Sequence, residues 1–82
     1  MKKHTKIYMD YFGYGEQDFI PCELCGGKAV DIHHIYGRGK GKDRIENLMA
    51  LCRYHHTMAH DEAYSKSSLE TMHEWYLKIT NK

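Results

Sequence analysis

The sequence predicts a small α+β domain stapled by a structural zinc, with one helix at each end. Three observations lead there. The chain has 82 residues and a hydrophobic share of 41%, enough to fold but with a modest core that benefits from a staple. All three cysteines fall in short knuckles, Cys22-x2-Cys25 and Cys52-x2-His55. Five of the seven histidines crowd between His33 and His60.

The elements follow in order. Ile7, Tyr8, Tyr11 and Phe12 make one apolar face, which predicts a helix over residues 5–12 ended by Gly13 and Gly15. Residues 16–21 are a connector, with Phe19 and Ile20 packed and Pro21 fixing the turn. The glycines after Cys25 allow a tight knuckle. Lys28 to Ile35, with Val30, Ile32 and Ile35, predicts a strand. A glycine-rich basic loop runs from Tyr36 to about Glu46, and Asn47 to Cys52 is a second apolar run suited to a strand. Residues 53–62 read as a helix, and 67–79 as a better one. There Leu69, Met72, Trp75, Tyr76 and Ile79 share a face, and Ser67 with Glu70 suggests a capping box. There is no repeat, so residues 1–82 are expected to form one domain.

Composition excludes several classes. No apolar run is long enough to span a membrane. The basic start Met1-Lys2-Lys3-His4 is followed by no apolar core of a secretory signal, so a cytoplasmic setting is expected. There the cysteines serve metal better than disulfides. A net charge of +1 argues against coating nucleic acid by bulk electrostatics. The local cluster Arg38, Lys40, Lys42 and Arg44, four cations within eight residues, matters more.

Cys22, Cys25, Cys52 and His55 supply a Cys3His set, the ligand type and number of a tetrahedral zinc. The competing reading is buried free cysteines. Among the remaining histidines, His56 and His60 are i and i+4 on a predicted helix, so both project from one face and can share a metal. His33 and His34 end the first strand, and strict alternation points them to opposite faces. His4 and His73 read as surface residues. Asp31 is placed either to hydrogen-bond a metal-bound imidazole or simply to face solvent.

Asp31-Ile32-His33-His34-Ile35, then Asn47-Leu48-Met49-Ala50-Leu51-Cys52, then His55-His56-x3-His60, resembles the HNH endonuclease family over residues 22–60. The resemblance implies a ββα-metal fold in which two antiparallel strands and a helix cradle one divalent ion. It implies that His33, His56 and His60 bind that ion and that His34 is the general base. Asn47, the middle letter of the motif, either ligates the metal or braces the loop that bears the base. The second knuckle departs from the family's usual Cys-x2-Cys by ending in His55.

The chemistry fits those residue types. An imidazole titrates near neutral pH and can take a proton from water, while a single ion of magnesium, manganese, nickel or zinc stabilises charge on the phosphate and the leaving oxygen. The resemblance makes DNA the substrate and places such small proteins among those of phages and mobile elements. Arg38, Lys40, Lys42 and Arg44 then contact phosphates without reading sequence, Arg38 nearest the scissile one. No base-reading element is apparent. The expectation is a weakly specific enzyme, a monomer or weak homodimer that nicks one strand, with specificity supplied by a protein partner if at all. The rival reading is a non-catalytic zinc module that binds nucleic acid, or an adaptor that keeps only the fold. Neither needs His33, His34, His56 and His60 together.

Overall fold

The computed structural model describes residues 2–80, in the order α1 (Lys3–Phe12), β1 (Asp31–His34), β2 (Leu48–Leu51), α2 (Arg53–His60) and α3 (Lys66–Thr80), with a short 3-10 turn at Ile45–Asn47 leading into β2. The architecture is α+β. Among the described residues no helix is long and apolar enough to cross a membrane.

α1 stops where expected. Gly13 adopts φ 74°, and the Tyr14 N–H returns to the Met9 carbonyl at 2.9 Å. That left-handed backbone would cost a residue with a side chain about 1–2 kcal/mol. β1 and β2 pair antiparallel, with His33 opposite Met49 and His34 opposite Leu48. Alternation along β2 sorts the core into two layers. Leu48 and Ala50 pack with Tyr8 of α1 on one face, while Met49 and Leu51 pack with Ile35, Cys22, Ala59 of α2 and Leu69 of α3 on the other. Every residue of β2 is fully buried, so Leu48 and Leu51 contribute about 2 kcal/mol each.

The first strand is shorter than residues 28–35. The knuckle is itself a small hairpin that takes the backbone of its first part: Lys28 bridges Pro21, and the Ala29 N–H bonds the Ile20 carbonyl at 2.9 Å. Only from Val30 onward do the hydrogen bonds turn to β2. Phe19, expected inside, is 59% exposed, and Ile20 packs against the Tyr8 layer instead.

α3 is not opened by a Ser67–Glu70 capping box. Ser65 is the cap, its Oγ accepting the Ser68 N–H at 3.1 Å, and Glu70 instead accepts the Tyr36 hydroxyl. Its inward stripe is Leu69 and His73, flanked by half-buried Met72 and Tyr76, whereas Trp75 and Ile79 face solvent.

His4 and His73 are both buried, against the surface placement expected for them. His73 lies under α3 with Nδ1 at 2.6 Å from Glu23 Oε1 and Nε2 at 2.6 Å from the Ile45 carbonyl. Both ring nitrogens face acceptors, which only the imidazolium satisfies. Burial pulls the His73 pKa down, but the hydrogen bond and charge of Glu23, with the Ile45 carbonyl, outweigh it and leave the value raised. The same Glu23 carboxylate accepts the Tyr8 hydroxyl at 2.6 Å and the Ala50 N–H at 3.2 Å. A residue of the knuckle thus ties α1, β2 and α3 together.

Candidate metal centres

The knuckle carries Cys22 and Cys25 to the N-terminus of α2. There Cys52 is the helix cap, its sulfur accepting the His55 N–H at 3.4 Å. That hydrogen bond, more than any other influence, brings the Cys52 thiol down to about 6, so it is a thiolate at neutral pH. Cys25 Sγ lies 3.8 Å from Cys52 Sγ, and His55 Nδ1 lies 3.7 Å from Cys22 Sγ and 3.3 Å from Cys52 Sγ. A tetrahedron with metal–sulfur bonds of about 2.3 Å has edges of about 3.8 Å. The four donors therefore fit a zinc ion in number, type and spacing.

A second set lies one helical residue further on. His56 and His60 project together from α2, with their Nε2 atoms 3.0 Å apart, and His33 of β1 stands over both, its ring 5.2 and 5.3 Å from theirs. Metal–nitrogen bonds of about 2.1 Å separate neighbouring ligand atoms by about 3.0–3.4 Å, so these donors also fit one ion. Asp31, two residues before His33 and on the same strand face, accepts from His56 Nδ1 at 3.1 Å. The proton is thereby fixed on Nδ1, and the Nε2 lone pair turns toward His60. Burial, followed by the nearby imidazoles of His56 and His60, lowers His33 to about 4 and keeps it neutral.

His34 faces the other way, as alternation requires. Its Nε2 is 2.8 Å from Asp43 Oδ1, and its ring meets that of His4 edge-on at 4.6 Å. The hydrogen bond to His34 holds the Asp43 carboxyl below its ordinary value. The two strand faces nevertheless share one cavity. Among the described residues β1 has β2 as its only neighbour in the sheet, and along its open edge runs a cleft of about 420 Å³ lined by His33, His34, His56, His60 and Arg38. Arg38 alone of the four loop cations lines it, while Lys40, Lys42 and Arg44 are exposed elsewhere on the loop.

Asn47 is buried, and its whole amide goes to the basic loop. Oδ1 accepts the Tyr36 N–H at 2.8 Å, and Nδ2 donates to the carbonyls of Lys42 at 2.9 Å and Gly37 at 3.3 Å. Gly37 takes φ 84° where the loop leaves the strand, a backbone suited to glycine.

Sequence reasoning missed Asp43 and His4. Asp43 is the one acid in a run of cations, a weak signal at nine residues from its partner. His4 sits one turn before Tyr8 on the inward face of α1, and that spacing was its only mark.

Two antiparallel strands and a helix, a cysteine-lined zinc knuckle and a cluster of imidazoles define a small metal-binding domain of the ββα type. The HNH endonuclease family matches residues 22–62, half of the sequence, and the chain belongs to that family, whose nucleases use divalent metals. No curated protein and no solved structure gives a match.

Proposed function

We propose that this chain is a DNA endonuclease that hydrolyses phosphodiester bonds with one divalent ion and a histidine base. The observation that carries the reading is the convergence of His33, His56 and His60 on one cleft with His34 and Arg38. Under this reading His33, His56 and His60 hold the ion, which when bound supplies positive charge to a non-bridging phosphate oxygen and to the departing 3′ oxygen. Neutral His33 and the Asp31-oriented His56 keep their lone pairs available for it.

His34 acts as the base. Asp43 accepts its Nε2 proton and so leaves the lone pair on Nδ1 to take a proton from the attacking water. Asp43 is in this scheme a positioning residue, and Asn47 is another, holding the loop that follows the base at its Tyr36, Gly37 and Lys42 backbones. Arg38 binds the scissile phosphate from the cleft wall, and Lys40, Lys42 and Arg44 bind flanking phosphates. Cys22, Cys25, Cys52 and His55 hold a structural zinc. The chain works as one domain with one site, so it nicks a single strand with little sequence preference.

The test is nicking of supercoiled plasmid by purified protein with magnesium, manganese or nickel, and with EDTA. Nicking is expected to need the metal and to be lost in His34→Ala while the tightly held zinc stays at about one per chain. Equal cutting by wild type and His34→Ala would refute the assignment of the base.

A further inference from the structure

We propose that His4, His34 and Asp43 form a further transition-ion site, separate from the cysteine-lined and His33-centred clusters, whose occupation switches the nuclease off. The inference rests on the reading of His34 as the base. The three residues come from three different parts of the chain: α1, the end of β1, and the basic loop. One donor atom from each lies within 4.8 Å of the other two. His34 Nε2 and Asp43 Oδ1 are 2.8 Å apart, and the His4 ring stands 4.6 Å from that of His34. His4 and His34 are both buried, 8% and 7% exposed, so their rings are already ordered and lose little freedom on binding.

The packing explains why the donors meet. Tyr8, locked against Leu48 and Ala50, fixes α1 across the sheet. His4, four residues earlier on the same helix face, is thereby held over the end of β1. It lies outside residues 22–62, so the family match does not account for it.

Two imidazoles and one carboxylate are a donor set for zinc, nickel, cobalt or manganese, and they leave positions for water. The cleft touches both His4 and His34 and gives an ion and its water a way in. Lys2, Lys3 and Arg38 lie near enough to repel a cation, so the site fills only after the cysteine-lined one. An ion there takes the place of the hydrogen shared by His34 Nε2 and Asp43. The imidazole proton moves to Nδ1, the nitrogen that otherwise receives the proton from water, and the base is lost. Two imidazoles and one carboxylate beside Lys2, Lys3 and Arg38 hold a transition ion less tightly than the three imidazoles of the His33-centred cluster, so at low metal that cluster fills first and the base stays free.

Equilibrium dialysis of the full chain against rising zinc decides the matter. Wild type is expected to saturate at about three zinc ions per chain. His4→Phe, which keeps a ring against His34, and Asp43→Asn are each expected to saturate at about two. Retention of those two by both variants shows that the fold survives. In parallel, nicking is measured as zinc is raised. Wild type is expected to lose at least about tenfold of its rate as the last ion binds, and His4→Phe to start at the same rate and resist that loss. Saturation of wild type at two ions, or a third ion still bound by His4→Phe, overturns the proposal. If no metal supports nicking by either protein, the nuclease reading and the switch fail together, while the dialysis still decides whether the ion site exists.

Discussion

Glu23 stands between Cys22 and Cys25 of the knuckle, yet its carboxylate, like the ring of His73, has no exposed side-chain surface. It accepts from His73 and Tyr8 at 2.6 Å each and from the Ala50 N–H at 3.2 Å. Glu23→Ala removes all three acceptor contacts and strands an imidazolium in the interior. Breaking one side of a buried ion pair costs about 3–5 kcal/mol, and each neutral donor left unpaired adds to that unless water enters. A domain of this size has about 5–15 kcal/mol in total. With a urea dependence of about 1.5 kcal/mol per molar, the midpoint should fall by about 2–3 M.

The assay is urea unfolding of zinc-loaded protein at fixed zinc and neutral pH, with His73→Leu and the double variant completing a cycle. Removing both charges leaves no orphan imidazolium, so the double variant should be less destabilised than the sum by at least about 1 kcal/mol. The pH dependence has a defined sign. The folded value of His73 is raised above 6.5, so the stabilisation is complete below 6.5 and is lost as pH rises through the folded value. The gap between wild type and His73→Leu should accordingly narrow in alkaline solution. A cost for Glu23→Ala below about 1 kcal/mol, or strict additivity, would refute the idea that this pair ties the helices to the knuckle.

Other expectations are more local. Asn47→Ala should lower nicking by about 100-fold through misplacement of the loop after His34, and lower stability by about 2 kcal/mol, with zinc content unchanged; plasmid cleavage and metal analysis check both. Ser65→Ala should cost about 1 kcal/mol in thermal unfolding, and Ser67→Ala less than about 0.5 kcal/mol, because only Ser65 caps α3. If Arg38, Lys40, Lys42 and Arg44 each neutralise a phosphate, log affinity for duplex DNA should fall against log salt with a slope of about −3.6, and Arg38→Ala should shallow it by about 0.9. A salt-independent affinity would remove the loop from the interface.

The two donor clusters were legible in part because each contains local pairs, the x2 knuckles and the i, i+4 helical pair, that sit together whatever the rest of the chain does, while the meeting of the two knuckles and the approach of His33 needed the fold. The opposed directions of His33 and His34 also follow from strand alternation, although only the structure places the cleft at the strand's open edge, where both faces reach it. The contacts between distant residues were not legible. His73 finds Glu23 across 50 positions, and nothing near either residue marks it as half of a buried pair. His4 precedes the helix predicted over residues 5–12 and carries no mark of burial, but α1 begins at Lys3 and the packing of Tyr8 draws that turn inward. Phe19 and Ile20 are adjacent and equally apolar, and only the fold of the knuckle turns Ile20 toward the Tyr8 layer and leaves Phe19 outside. The Ser67–Glu70 pattern misled for a similar reason: Ser65 offers the same chemistry two residues earlier, and Glu70 has a partner in Tyr36.

His55 and His56 are neighbours in sequence but serve different clusters, because one residue turns an α-helix by about 100°. The first turn of α2 is therefore a shared mount for both donor clusters. Whatever fixes the roll of that turn for one fixes it for the other, and by reciprocity each ion should tighten the grip on its neighbour. Inserting a residue between Cys52 and His55 would rotate His55 and His56 together, so a single change there would disturb both donor clusters at once.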